Sequence, residues 1–109
     1  MPYNIELARR MRDRLRETPH LTEKAMFGGV AFMVNGNMAC GVHKQALIVR
    51  IGQAKHAQAM AQPHTHPFDL TGRPMPGWVL VDPESVASDE ALHAWMQMGL
   101  DFANSLPAK

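Results

Sequence analysis

Few side chains in this sequence combine the type and spacing that chemistry needs. Cys40 and His43 lie three residues apart. A thiol becomes a nucleophile when a nearby cation or helix N-terminus stabilises its thiolate, and only His43 and Lys44 are close in sequence. Cys40 also sits in an apolar, strand-like run, where a free thiol is ordinarily buried and inert. His64 and His66, in Pro63-His64-Thr65-His66-Pro67, point the same way on an extended chain. Joined by His56 or His43, they would suit zinc, nickel or copper. Without a fixed third ligand they fall short of a zinc signature, and a surface loop or strand edge is the simpler account. Arg50 and Arg73 stand apart from the arginines near the N-terminus. Their planar guanidinium groups suit an anion or a partner carboxylate, in competition with structural pairing to Asp69, Asp82 or Glu84. Gly28-Gly29 precedes a strand, whereas phosphate-cradling glycines run into a helix, so a bulge or a close backbone approach is expected there. No nucleophile with a base, no carboxylate pair and no cofactor loop is visible, so neither catalysis nor a cofactor is expected.

The elements that would position these residues centre on Lys24–Ile51, which carries three antiparallel strands. Asn35-Gly36 between two apolar runs is a strong hairpin signal, because both residues accept positive φ. A second turn falls at Lys44-Gln45. Pairing across it sets Met38, Cys40 and Val42 beside Leu47, Val49 and Ile51 on the core face. For the first hairpin, a two-residue loop would place Ala31 and Met33 on that face. A three-residue loop, Asn35–Asn37, would place Val30, Phe32 and Val34 there. A one-residue slip exchanges the faces, and burial favours the second arrangement. The opposite face then carries Ala31, Met33, Ala39, Gly41, Ile48 and Arg50, and Met33 and Ile48 make it a candidate surface for a partner or a homodimer.

The remaining segments read as cover for this sheet. A helix from about Asn4 to Glu17 places Leu7, Ala8, Met11 and Leu15 on one side. Arg9, Arg12 and Arg16 line the other, either as a docking surface for phosphate or an acidic partner, or as a solvated face laced with Glu6, Asp13 and Glu17. Leu21-Thr22-Glu23 reads as a connector. Gln53–Ala61 reads as a short helix, Pro67–Leu70 as a strand entry and Trp78–Val81 as the last strand, with Thr71–Gly77 as the loop between. Ser88 caps a final helix whose arc of Leu92, Trp95, Met96, Gly99, Phe102, Ala103 and Leu106 must be buried, with Trp95 and Phe102 as its anchors. Gly99 in mid-stripe implies close packing.

At 109 residues the chain is one domain, 1–109. Its net charge of +1 gives no field to recruit nucleic acid, and no helix-turn-helix or basic recognition element is visible, so direct nucleic-acid binding is not expected. One cysteine excludes an internal disulfide. Without a signal peptide or a long apolar run, a cytoplasmic location and no membrane association are the expectation.

Met26-Phe27-Gly28-Gly29, then Asn35-Gly36-Asn37-Met38, Leu47-Ile48-Val49-Arg50, Thr71-Gly72-Arg73-Pro74-Met75 and the closing Ser105-Leu106-Pro107 occur in an order and spacing that resembles the N-terminal domain of the TfoX/Sxy competence-regulator family, in its short stand-alone form. The resemblance spans nearly the whole chain. It implies an α-β-β-β-α-β-β-α topology and a regulatory role exercised through protein partners, the transcription machinery among them. The expected architecture is an α+β two-layer sandwich, with a five-stranded, mainly antiparallel sheet and its helices on one face.

Overall fold

The computed structural model describes residues 3–26, 28–69, 72 and 74–109, the side chains of Met26 and Pro74 excepted. Helix α1 (Ile5–Leu15) is followed by strands β1 (Leu21–Met26), β2 (Gly29–Val34), β3 (Asn37–His43) and β4 (Ala46–Arg50). A 3-10 turn, Gln53–Lys55, leads into α2 (His56–Met60). Strands β5 (Thr65–Asp69) and β6 (Pro74–Val81), a second 3-10 turn (Pro83–Val86) and α3 (Asp89–Asn104) complete the chain. Among the described residues the strands form one six-stranded sheet in the order β1-β2-β3-β4-β6-β5, antiparallel throughout. The α+β sandwich is as expected, with one strand more. The additional strand is β1, whose first half had the look of a connector. Its polar run Thr22-Glu23-Lys24 is exposed at the sheet edge. An edge strand needs no buried side, and charged residues there discourage pairing with another chain.

Helices α1 and α3 start where their caps predict. The Asn4 side chain accepts from the Leu7 N–H at 3.0 Å, and Ser88 Oγ accepts from the Ala91 N–H at 3.1 Å. The apolar stripe of α1 (Leu7, Ala8, Met11, Leu15) and that of α3 (Leu92, Met96, Gly99, Leu100, Ala103) are both buried. They join Ala59 of α2 and the strand residues Val30, Phe32, Val34, Cys40, Val42, Leu47, Val49, Val79 and Val81 in one core. All three helices therefore cover the same side of the sheet. Trp95 is partly buried against this core and Phe102 is half-buried. Neither is the sealed anchor that the helical arc predicts; Leu100 takes a place in the core instead. Gly99 is required by close approach, since a Cβ there would stand 2.2 Å from the Ala39 carbonyl oxygen. Gly29 is likewise pressed onto β3, where a Cβ would meet the Val42 carbonyl.

The first hairpin satisfies turn chemistry and burial together. Asn35 and Gly36 form a two-residue turn with φ of 52° and 81°, and Val34 faces Asn37 across it. The register then shifts: Met33 pairs with Met38, but Phe32 pairs with Cys40. Ala39 is the extra residue of a β-bulge, which exchanges the faces beyond it. The turn is thus the shorter of the two expected, while Val30, Phe32 and Val34 still reach the helix side. The bulge also corrects two placements. Met38 lies on the opposite face with Ala31 and Ile48, and Ala39 lies in the helix-side core.

That opposite face is not open. Phe68 is 1% exposed and packs with Ala31, Met38 and Ile48, flanked by the partly buried Met33, Met75, Trp78 and Leu80. Its ring meets His43 edge-on at 5.3 Å and Trp78 at 6.1 Å. Strand β5 lies three places from β3 in the sheet, roughly 14 Å at the usual strand spacing. Contact between Phe68 and His43 therefore requires the β5–β6 ribbon to curl back across the face. A register shift between Pro67 and Asp69 accompanies that bend.

Candidate functional site

The end of β4 carries the most distinctive polar group of the molecule. Arg50 is half-buried and faces Trp78 across the β4–β6 ladder. Its guanidinium carbon lies 5.2 Å from the Trp78 ring centroid and 5.2 Å from that of Phe102, which α3 supplies. Both rings thus lie within cation–π reach of the guanidinium, which restrains it without using its N–H groups in hydrogen bonds to protein acceptors. Gly52, with φ of 85°, makes room for Phe102: a Cβ there would stand 2.5 Å from the ring. The Gly77 carbonyl accepts from Ile51 N–H at 2.8 Å and Gly52 N–H at 3.2 Å, and Gly77 N–H donates to His56 Nδ1 at 3.1 Å. The backbone flanking Arg50 and Trp78 is thus held by hydrogen bonds. Arg50, Gln53, Trp78 and Phe102 line a cleft of about 110 Å³, enough for a carboxylate-sized group.

The remaining described arginines are committed to partners. Arg9 bonds Glu6, and also Asp13 at 2.8 Å; Arg16 bonds Asp13 at 3.2 Å. Arg12 makes a two-pronged bond to Glu23 on β1, both at 2.8 Å. Arg10 reaches Asp89 at 3.0 Å and Arg14 reaches Gln97 at 3.2 Å. The hydrogen bond from Arg9 pulls the Glu6 carboxyl below its ordinary range, and that from Arg12 does the same to Glu23. The stripe of Arg9, Arg12 and Arg16 is therefore an ion-paired helix face. Among the described arginines, Arg50 alone has neither a hydrogen-bond nor an ion-pair partner, and it forms none of the expected bonds to Asp69, Asp82 or Glu84. Arg73, proposed from the sequence as its companion, lies outside the described residues.

Cys40 and His43 are not brought together. Cys40 is fully buried on the helix side, where desolvation pushes its thiol up to about 12. His43 packs its ring against Phe68 on the opposite face, as residues three apart on a strand must diverge. Ile48, expected to be partner-facing, is 1% exposed beneath the ribbon, whereas Met33 is partly exposed. His64 and His66 both turn to Asp82, at 3.7 Å and 3.0 Å. Sequence reasoning missed the two rings at Arg50. Trp78 could have been found from strand pairing, but Phe102 was absorbed into the helical arc and its contact is visible only in three dimensions. No helix among the described residues is long and apolar enough to cross a membrane.

No curated protein and no solved structure matches the chain. The model of the TfoX N-terminal domain does, over residues 13–103, a span that contains the whole sheet, the Arg50 clamp and most of the helical layer. With that span covered, the chain belongs to the TfoX N-terminal domain family.

Proposed function

We propose that this protein is a non-enzymatic regulatory module that acts by binding a protein partner, and that Arg50 receives a carboxylate of that partner. Membership of the family supports the regulatory reading. The single observation that carries the mechanism is the Arg50 guanidinium, set 5.2 Å from the ring centroids of Trp78 and Phe102 and left without an acidic partner. A preorganised guanidinium loses little freedom on binding, and its charge-assisted hydrogen bonds to a carboxylate are among the stronger polar contacts. The partly exposed Met33, Met75, Trp78 and Leu80 would supply apolar contact beside it, and methionine adapts to irregular partner surfaces. The proposed partner is an acidic segment of a transcription protein, bound without direct reading of DNA.

The test is capture from an extract of the source organism with mild crosslinking and mass spectrometry, using the wild-type chain, Arg50→Ala and Arg12→Ala. A transcription protein recovered by the wild type and Arg12→Ala but lost with Arg50→Ala is the expected result. The same proteins recovered by all three chains would refute the role of Arg50. A small carboxylate saturating the clamp, with no protein recovered, would replace the partner reading with a ligand-binding one.

A further inference from the structure

The two ends of the β5–β6 ribbon converge on a cluster that the Arg50 clamp does not use. His64 immediately precedes β5 and Asp82 immediately follows β6, and the Asp82 N–H donates to the His64 carbonyl at 2.9 Å. Pro83 then opens the 3-10 turn that carries Glu84. One ligand atom each from His64, Asp82 and Glu84 lie within 4.8 Å of one another. We propose that these three residues form a binding site for a divalent transition metal of the zinc class, with His66 as a positioning residue.

The chemistry of the donors supports this. An imidazole nitrogen and two carboxylate oxygens make a mixed N/O set that suits zinc and its neighbours, and the two negative charges match a divalent ion. Ligand atoms around a tetrahedral zinc stand about 3.4 Å apart. His64 Nδ1 and Asp82 Oδ2 are already 3.7 Å apart. The largest separation closes by rotation of side chains that are at least partly exposed, without movement of the strands. His66 Nε2 lies 3.0 Å from Oδ1, the other oxygen of Asp82. A hydrogen bond there leaves Oδ2 for the ion and fixes the carboxylate's orientation, as outer partners of metal ligands do. His64 is held at φ of 64°, in the left-handed region that non-glycine residues seldom adopt, and this places its ring beside Asp82 rather than along the strand. Three ligands leave a fourth position to water. An ion so held would staple the ribbon at its base.

The test uses the full chain after chelator treatment, titrated with Zn2+ by calorimetry and with Co2+ by visible absorption. The expected result is one Zn2+ per chain, tetrahedral Co2+ bands and a thermal midpoint that rises with Zn2+. Asp82→Asn and His64→Ala should each weaken binding by about a hundredfold or more, and His66→Ala by roughly tenfold, the smaller effect of an orienting partner. His93→Ala, remote on α3, should bind as the wild type does. These are surface substitutions, and circular dichroism confirms that each variant is folded. No saturable binding up to about 1 mM Zn2+, where affinity is only ~4 kcal/mol, would overturn the proposal. So would equal binding by the wild type and an Asp82→Asn/His64→Ala double variant.

Discussion

The two faces of the sheet are built from similar residues and closed by different means. Three helices seal one face, and Phe32, Leu47, Val49 and Met96 there have no exposed surface. The other is closed by the chain's own β5–β6 ribbon, through one fully buried ring, Phe68, with Met33, Met75, Trp78 and Leu80 left partly exposed around it. The helix side also leaves Trp95 and Met98 partly exposed, but the arginines of α1 all have polar partners, whereas the ribbon side ends in an arginine without a hydrogen-bond or ion-pair partner. The fully sealed core thus lies on one face, and the proposed binding group, Arg50, stands at the end of the other, where α3 supplies one of its two rings.

The largest effect expected from breaking this contrast is on the helix side. Phe32→Ala should cost about 3–5 kcal/mol, a large part of the stability of a small domain, and should leave the chain wholly or partly unfolded in a denaturant titration. Phe68→Ala removes a ring of the same size and should cost about 3 kcal/mol, but locally. Hydrogen exchange should rise along β5 and β6 while the amides of β3 and α3 stay protected. Exchange that rose equally in all four elements would show that the two faces are one cooperative unit.

The smallest effect lies in the ion pairs of α1. Arg12 holds the Glu23 carboxyl below its usual range, chiefly by hydrogen bonding. Because the folded value is the lower one, the pair's contribution is fully present above the ordinary glutamate range and is lost as pH falls through the folded value. Both side chains are more than a third exposed, so solvent screening keeps the contribution under about 1 kcal/mol. The stability difference between wild type and Glu23→Gln should shrink as pH falls from about 5 to about 3. A constant difference across that range would mean that the pair carries no pH-linked stability.

How much of this was legible in the sequence depends on whether the signal was local. Ser88, Asn4, the stripe of α1 and the Asn35-Gly36 turn are local features, and each appears where its chemistry places it. The bulge at Ala39 was not legible, because it reconciles a local turn preference with burial against helices that are distant in the sequence. Strand β1 was missed because an exposed edge strand has no apolar alternation to reveal it. The ribbon's return over Ile48 depends on a bend between Pro67 and Asp69, and pairing patterns do not encode its direction. The candidate sites were half legible for the same reason. Arg50, His64 and His66 stood out by type. Trp78, Phe102, Asp82 and Glu84, which give them surroundings, come from other elements.

The most direct test of the account is the affinity of the purified partner for three chains: wild type, Arg50→Ala and Arg12→Ala. Loss of a charge-assisted contact from a preorganised group should weaken binding by about ten- to a hundredfold in Arg50→Ala, with fold stability changed by no more than ~1 kcal/mol. Arg12→Ala, whose guanidinium is already paired with Glu23, should bind within about twofold of wild type. Equal weakening in both variants, or none in Arg50→Ala, would contradict the assignment of binding to the ribbon side of the sheet.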